Sequence, residues 1–301
     1  MKRLKLGIIG MSEGNGHPYS WSAIINGYNM DHMLDCPFPV IPEYLFKEPY
    51  PENYLCSLAE VTHIWTQDFE LSNHIAKASK IPNVVKNMVD MIGYVDAILL
   101  ARDDAKNHLM FATPFLKAGL PIYIDKPFAL NIKDSQELWS SMKYENQIFT
   151  CSALQFSEEF QSNKIDFELI GDIKAVWATI PKSWDKYAVH LIEPVLNLIP
   201  QRGKIIDVQA LPIMTDQIKG VQVKWASGVM AQFQTTGIYS TPLVIRIQGS
   251  RGYQELNFLN SFYAFREALK NFIEVVNGSK LNIKRAFTEE VVKILECIEN
   301  A

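Results

Sequence analysis

The sequence lacks several features that are typical of particular classes of protein. None of its apolar stretches approaches the roughly 20 residues that a membrane-spanning helix needs. The net charge is -4, and acids and bases are spread along the whole chain, so no basic block is available to neutralise a run of phosphates. We therefore expect neither a membrane nor a nucleic acid as a partner.

Cysteines are few and dispersed, at positions 36, 56, 151 and 297, without the pairing of a zinc site or the density of a disulfide scaffold. The histidines at 17, 32, 63 and 74 also lack metal-site spacing. The charged start at 1–5 leads into an apolar run at 6–11 that two glycines interrupt, which predicts a buried strand and no signal peptide. We expect no metal and a cytoplasmic location.

Apolar runs alternate with helical patterns in the first half of the chain. This rhythm is typical of a parallel sheet covered on both faces, because parallel neighbours need crossover connections. Gly119 is a natural cap at the end of one of these helices. The predicted strands are 4–10, 61–66, 95–101 and 121–124, and the predicted helices are 18–28, 69–78 and 106–118.

A proline-rich segment at 31–59 interrupts this rhythm. Its five prolines prevent a continuous helix, so the segment is interpreted as an insertion. It is a lid over a cleft, a surface excursion or an oligomer contact, and the sequence leaves all three open.

The second half predicts an α+β domain with an open, mostly antiparallel sheet, since several of its strands are joined by short turns. Thr288 is a plausible cap of the last helix. An uncovered sheet face would suit a homodimer or homotetramer. The predicted strands are 173–179, 205–210, 220–225, 229–236 and 243–249, and the predicted helices are 134–144, 261–276 and 288–300.

The first strand runs into a glycine-containing loop, Gly10-Met11-Ser12-Glu13-Gly14-Asn15-Gly16, and then into a helix. Such a loop presents backbone N–H groups to a pyrophosphate, although Ser12 stands where the usual fingerprint has its second glycine. A mobile glycine loop is the alternative. Asp68, after Gln67 at the end of the second strand, is the candidate for holding the adenosine ribose or else a helix cap. Since no Arg or Lys is adjacent to Asp68 to receive the 2′-phosphate of NADP, NAD is favoured over NADP.

Two further motifs resemble the glucose-fructose oxidoreductase/inositol dehydrogenase/MocA family. One is the segment 118–127, Ala-Gly-Leu-Pro-Ile-Tyr-Ile-Asp-Lys-Pro, which is similar to the family's Glu-Lys-Pro motif, and the other is His190-Leu191-Ile192-Glu193, which is similar to its His-Leu-Ile-Asp helix start. The segment 287–290 also resembles the family's C-terminal helix. Apart from the insertion, the resemblance covers nearly the whole chain.

The resemblance implies a Rossmann domain at 1–127, a substrate and oligomerisation domain at 128–286, and a last helix at 287–301 that packs back on the Rossmann domain. It implies hydride transfer between NAD(P) and a hydroxyl or ketone of a sugar, nucleotide sugar or inositol, with Lys126 beside the nicotinamide and His190 as acid or base. The expected cofactor contacts are Gly10, Met11, Ser12, Gly14, Asn15, Gly16, Gln67, Asp68, Ala101, Arg102, His108, Asp125 and Lys126.

The family's usual Asp four residues before this histidine is absent, because the chain has Lys186 there and Asp185 one residue earlier. Either Asp185 is shifted into the role or Lys186 replaces it. Gln155, Trp184 and Tyr187 are expected to line a polyol pocket, although such aromatic residues are more often part of a core. Taken singly, Lys126 before a proline also fits a plain turn, and His190 also fits a core histidine.

Two other functions are compatible with these patterns. The irregular glycine loop and Lys186 would suit a nucleotide-binding regulatory or partner protein without turnover. The second function is elimination or glycoside cleavage, in which the cofactor would pass through an internal redox cycle. Product formed without net NADH would identify the latter.

Overall fold

The structure is a computed structural model that describes residues 2–212, 215 and 217–298, and these form two compact units. The first unit holds the described residues up to Phe128 together with Gln136–Thr150 and Phe265–Lys284. The second unit holds Ala129–Ser135, Cys151–Ala264 and the described residues from Arg285 onward. The chain thus returns twice to the first unit, so these divisions differ from the predicted boundaries after 127 and 286.

Helices and strands are numbered in chain order among the described residues. The strands are β1 (Leu4–Ile9), β2 (Ala59–Trp65), β3 (Asn83–Val84), β4 (Ala97–Leu100), β5 (Ile122–Ile124), β6 (Ile148–Thr150), β7 (Ile173–Ile180), β8 (Ile205–Ala210), β9 (Lys219–Trp225), β10 (Met230–Thr235), β11 (Val244–Gly249) and β12 (Tyr253–Asn257). The α-helices are α1 (His17–Asn26), α2 (Met30–Leu34), α3 (Val40–Leu45), α4 (Phe69–Ala78), α5 (His108–Ala118), α6 (Ile132–Ser140), α7 (Phe167–Ile170), α8 (Trp184–Tyr187), α9 (Val189–Leu198), α10 (Ser261–Val276) and α11 (Arg285–Glu296).

The sheet of the first unit has the order β3-β2-β1-β4-β5-β6, and every neighbouring pair is parallel. Its central strands are almost wholly buried, as their continuous apolar runs predict for a sheet covered on both faces. The order reverses beside β1, which leaves a crevice at the carboxyl ends of β1 and β4. The predicted doubly wound parallel sheet is confirmed.

The predicted insertion consists of two short helices, α2 and α3, joined by turns. Its prolines lie in the turns or in the first turn of α3, where a missing N–H costs little. The segment packs on α1 through polar contacts, such as that between the hydroxyls of Tyr44 and Ser20. The prediction that no continuous helix forms here is therefore confirmed.

The sheet of the second unit has the order β12-β11-β7-β10-β9-β8, and only the β7–β10 pair is parallel. Alternate residues of β7 point into a core beneath α9, which confirms the predicted mostly antiparallel sheet. On the other face, Trp177, Arg246 and Tyr253 help to line a cleft of about 690 Å³. Self-association through this open face of the second sheet stays a prediction.

Several local predictions differ from the structure. Strands β3, β6 and β12 were not predicted, because β3 and β6 span only two and three residues and β12 alternates polar and apolar residues without a strong signal. The assignment of Thr288 as a cap is wrong: α11 begins at Arg285, and Thr288 is a buried residue inside it. The predicted helix end at Asn300 lies outside the described residues.

The last helix has its own partners within the second unit. It packs on α9, and the carboxylate of Glu290 binds the Arg202 guanidinium and accepts a hydrogen bond from Trp225 Nε1 at 2.8 Å. Its packing on the Rossmann domain stays a prediction. Among the described residues, none of the helices combines the length and the apolar character required to cross a bilayer.

Candidate active site

The glycine loop connects β1 to α1 at the carboxyl edge of the first sheet. A Cβ on Gly10 would lie 2.4 Å from Pro18 Cγ, so only glycine allows the loop to approach the start of the helix this closely. Within the described residues, the N–H groups of Gly14 and Gly16 have no hydrogen-bond acceptor, and the first turn of α1 contains no acidic residue. These features fit the binding of an anionic pyrophosphate.

Side chains from neighbouring strand ends hold this loop in place. Gln67 clamps Met11 on both sides: its Oε1 accepts the Met11 N–H at 3.0 Å, and its Nε2 donates to the Met11 carbonyl at 2.6 Å. Arg102 donates to the same carbonyl and is paired with Asp104. Gln67 and Arg102, both predicted as cofactor contacts, therefore shape the loop that would receive the cofactor.

Ser12 and Lys126 meet at one buried carboxylate, that of Asp103. The Ser12 hydroxyl donates to Asp103 Oδ1 at 2.7 Å and accepts the Asp103 N–H at 3.0 Å. Lys126 Nζ lies 3.5 Å from Asp103 Oδ2. All three side chains are buried, so the ammonium of Lys126 is held at the crevice with little solvent around it. Asp103 was not predicted as a site residue, and only its position after β4 could have indicated it.

A second network is centred on Asp125, which is 1% exposed. Its Oδ1 accepts the Lys126 N–H at 2.8 Å, and its Oδ2 accepts Asn15 Nδ2 at 2.9 Å and faces His17 Nδ1 at 2.5 Å. The sequence alone gave His17 no role, because its partner stands 108 residues away. The structure thus brings together Asn15, Asp125 and Lys126, three of the predicted cofactor contacts, and adds His17.

Two predicted cofactor contacts have structural roles in this unit. Asp68 Oδ1 accepts the N–H groups of Glu70 and Leu71 and so caps α4, which was the alternative interpretation of this residue. His108 is fully buried, and its two ring nitrogens face the carbonyls of Arg102 and Phe128. This geometry gives the predicted cofactor contact of His108 no support. Ala101 is buried against β1 through its N–H.

The second unit contains a separate polar cluster around His190, at the start of α9. His190 Nδ1 lies 2.7 Å from Ser152 Oγ. Glu193, one turn further along α9, accepts the Ser152 N–H at 2.7 Å and Gln155 Nε2 at 2.6 Å on the same oxygen, Oε2. Burial raises the pKa of Glu193 well above its ordinary range, and the two hydrogen bonds only partly oppose this shift. Neither Ser152 nor Glu193 was predicted as a site residue.

The other predicted residues of this unit are divided between a core and a cleft. Trp184 is buried and donates through Nε1 to the Leu295 carbonyl at 3.0 Å, so it is part of the core, and it also borders the cleft that Asp185 lines. The side-chain amide of Gln155 donates a hydrogen bond to Glu193 and accepts one from Asn197. Asp185 helps to line a cleft of about 630 Å³. Lys186 lies next to it in α8.

Tyr187, one of the predicted substrate residues, lies close to His190. The two ring centroids are 5.6 Å apart, and the Tyr187 hydroxyl accepts a hydrogen bond from Lys182 Nζ at 2.7 Å. In the described part of the chain, no three His, Cys, Asp or Glu side chains are grouped to hold a metal ion. The meeting of Lys126 with His190 around one cofactor stays a prediction.

Comparison with known proteins finds a family resemblance in the first half of the chain. Residues 46–152 match the model of the oxidoreductase family with an NAD-binding Rossmann fold, GFO_IDH_MocA. This segment is similar to that oxidoreductase family. The resemblance inferred from the sequence motifs is thereby confirmed, and the segment includes Asp103, Asp125 and Lys126. No curated protein matches the chain.

Solved structures share the fold over the full chain. Myo-inositol 2-dehydrogenase from Lactobacillus plantarum is 15% identical, with a TM-score of 0.73, and the match covers 100% of this chain and 97% of that one. Levoglucosan dehydrogenase in complex with NADH and levoglucosan is 14% identical, with a TM-score of 0.70 and coverages of 100% and 98%. Biliverdin reductase from Synechocystis, in complex with biliverdin and NADP+, is 12% identical, with a TM-score of 0.70 and coverages of 98% and 98%. At these identities the likeness shows the fold.

Proposed function

We propose that this protein is an NAD-dependent dehydrogenase that transfers a hydride between the cofactor and a secondary hydroxyl or ketone of a sugar, nucleotide sugar or inositol. The observation that carries the proposal is the buried Lys126 ammonium at the carboxyl end of β5, beside a glycine loop able to receive a pyrophosphate. The matched family and the inositol and levoglucosan dehydrogenases that share the fold support this choice of reaction and substrate.

The chain's own residues supply the polar part of this chemistry. When bound, the nicotinamide exchanges a hydride with the substrate carbon. Lys126, confined near Asp103, stabilises negative charge that develops on the substrate oxygen, and such stabilisation is strongest where water is excluded. The proton of that oxygen needs an acid–base residue, for which the family resemblance indicates His190, held through Nδ1 by the Ser152 hydroxyl.

The proposed preference for NAD over NADP depends on the end of β2. A carboxylate, Asp68, follows this strand, and its two immediate neighbours, Gln67 and Phe69, carry no positive charge for a 2′-phosphate. Asp68 Oδ1 caps α4, which leaves Oδ2 as the oxygen for a ribose hydroxyl.

The proposal is tested by the near-ultraviolet absorbance of NADH during incubation with NAD+ and a panel of polyols and sugars. Lys126→Met should lower kcat by about 10²- to 10³-fold, the usual effect of losing one stabilising donor. The matched control is Lys77→Met, on the exposed last turn of α4, which should leave the rate unchanged.

Because Lys126→Met leaves the buried Asp103 without its ammonium partner, the double variant Asp103→Asn/Lys126→Met separates loss of function from loss of folding. Full activity in a folded Lys126 variant would refute the assignment of this residue. Tight NAD binding without turnover on any substrate would instead favour a regulatory protein, and product without net NADH would favour an internal redox cycle.

A further inference from the structure

The arrangement of His17 and Asp125 is not explained by the proposed roles of Lys126 and His190. His17 is the first residue of α1, directly after the glycine loop, and Asp125 follows β5 directly. Their side chains meet at 2.5 Å in the first unit, and Asp125 also holds the backbone N–H of Lys126. The Asp125 carboxylate therefore connects the His17 imidazole to the backbone of Lys126, the residue proposed to act at the reaction centre.

The contact with Asp125 fixes the tautomer of His17. Asp125 is an acceptor at both oxygens, since Asn15 Nδ2 and the Lys126 N–H donate to it as well. The proton that lies between His17 and Asp125 therefore belongs to Nδ1, and Nε2 is the acceptor of the neutral ring. Free imidazole side chains favour the opposite tautomer, so the carboxylate sets this choice.

Aromatic packing fixes the plane of the ring. The imidazole is stacked on Trp21, with centroids 5.0 Å apart and planes at 15°, and meets the edge of Phe265 at 5.0 Å. Its side chain is 15% exposed, and within the described residues Nε2 has no hydrogen-bond partner. One nitrogen is thus anchored while the other is accessible, which is the arrangement that an acid–base histidine requires.

We propose that in this enzyme His17, oriented by Asp125, takes the acid–base role for which the family resemblance indicates His190. The inference rests on the proposed dehydrogenase function. At the second-unit histidine, Nδ1 of His190 meets a hydroxyl, that of Ser152, and the residue four positions before it is Lys186. The family resemblance leads one to expect an aspartate at that position of the sequence, whereas His17 meets an aspartate, Asp125, directly.

The proposed step balances as follows. In the direction of alcohol oxidation, the substrate O–H bond breaks and its proton binds Nε2 of His17, which becomes an imidazolium paired with the Asp125 carboxylate. The electron pair left on oxygen forms the C=O bond, and the hydride from the same carbon, with its two electrons, reduces NAD+. In the reverse direction His17 returns the proton to the oxygen.

The decisive variant is His17→Asn, because the Asn amide nitrogen can take the place of Nδ1 and keep the bond to Asp125 while Nε2 is lost. We expect kcat to fall by at least about 10²-fold and the Kd for NAD+, measured by calorimetry, to stay within about threefold, the variation that a change of roughly 0.6 kcal/mol produces. His74→Asn is the matched control, since His74 is also bonded through Nδ1, to the Tyr19 hydroxyl, and should keep its activity. In His17→Ala, added imidazole should restore part of the rate.

Nitrogen-15 NMR of histidine-labelled protein gives a readout independent of turnover. Where the ring is neutral, the signals lost in His17→Asn should report protonation at Nδ1, and in Asp125→Asn this preference should weaken. Normal kcat in His17→Asn, or a neutral ring protonated at Nε2 in the native protein, would overturn the inference while leaving the dehydrogenase function intact. A native protein that reduces NAD+ with none of the polyols would instead refute both.

Discussion

Glu193 offers a test in which replacement of an ionisable side chain should stabilise the protein. Its carboxyl group is buried beside Ser152 and Gln155, and burial raises its pKa well above the ordinary value of 4.5. The unfolded chain ionises at that ordinary value, whereas the folded protein keeps the proton. Since the folded state binds more protons over this interval, its stability falls as pH rises from about 4.5 through the folded-state pKa.

Glu193→Gln removes this dependence with little change in contacts. Both donors, the Ser152 N–H and Gln155 Nε2, converge on Oε2, and the Gln carbonyl oxygen can accept both. Each pH unit contributes about 1.4 kcal/mol of linkage. The variant should therefore be more stable than the native protein by an amount that grows with pH until the folded-state pKa of Glu193 is reached.

The assay is urea denaturation followed by tryptophan fluorescence at a series of pH values between about 4.5 and 8. The native and variant stabilities should coincide near the lower limit and diverge as pH rises. Glu290→Gln is the matched control: its carboxylate is paired with Arg202, so loss of its charge should cost about 1–3 kcal/mol. If Glu193→Gln is less stable than the native protein across the whole range, Glu193 is ionised in the fold and the reasoning is wrong.

Two further substitutions test local features of the first unit. Asp68→Ala should lower the free energy of unfolding by about 1 kcal/mol through loss of the α4 cap, whereas Asp68→Asn should keep that stability and weaken only NAD binding; unchanged NAD affinity in Asp68→Asn would show that the residue is a cap alone. Gly119→Ala should cost about 1–2 kcal/mol in thermal or urea unfolding, because Gly119 has φ of 84° and the nearest atom to an added Cβ is 3.9 Å away, so strain in the backbone is the sole penalty. An unaltered midpoint in Gly119→Ala would contradict this account.

The sequence predicted the elements of the fold well where the signal was local. Helix α4 and the first strand of the parallel sheet follow from short apolar patterns, and the cap at Gly119 follows from the need for a left-handed residue at a helix end. The strands β3 and β6 escaped prediction because two or three residues cannot establish a period. Thr288 was misplaced as a cap because polar residues also occur inside amphipathic helices.

The candidate site was predictable only in part. Lys126 and the glycine loop carry recognisable motifs, so they could be placed at the edge of the sheet before the structure was known. The partners of these residues could not, since Asp103 reaches Lys126 and His17 reaches Asp125 only after strands distant in the chain become neighbours.

The amino-acid order by itself determined the alternation of strands and helices, the parallel sheet and the position of Lys126 after β5, because hydrophobic period and turn chemistry act over a few residues. The tertiary structure alone decided which carboxylate each cation meets, that Asp68 caps a helix, and that Glu193 is buried beside Ser152. Hydrogen bonds and burial depend on the directions of side chains brought together from far apart in the chain, and no local pattern encodes those directions.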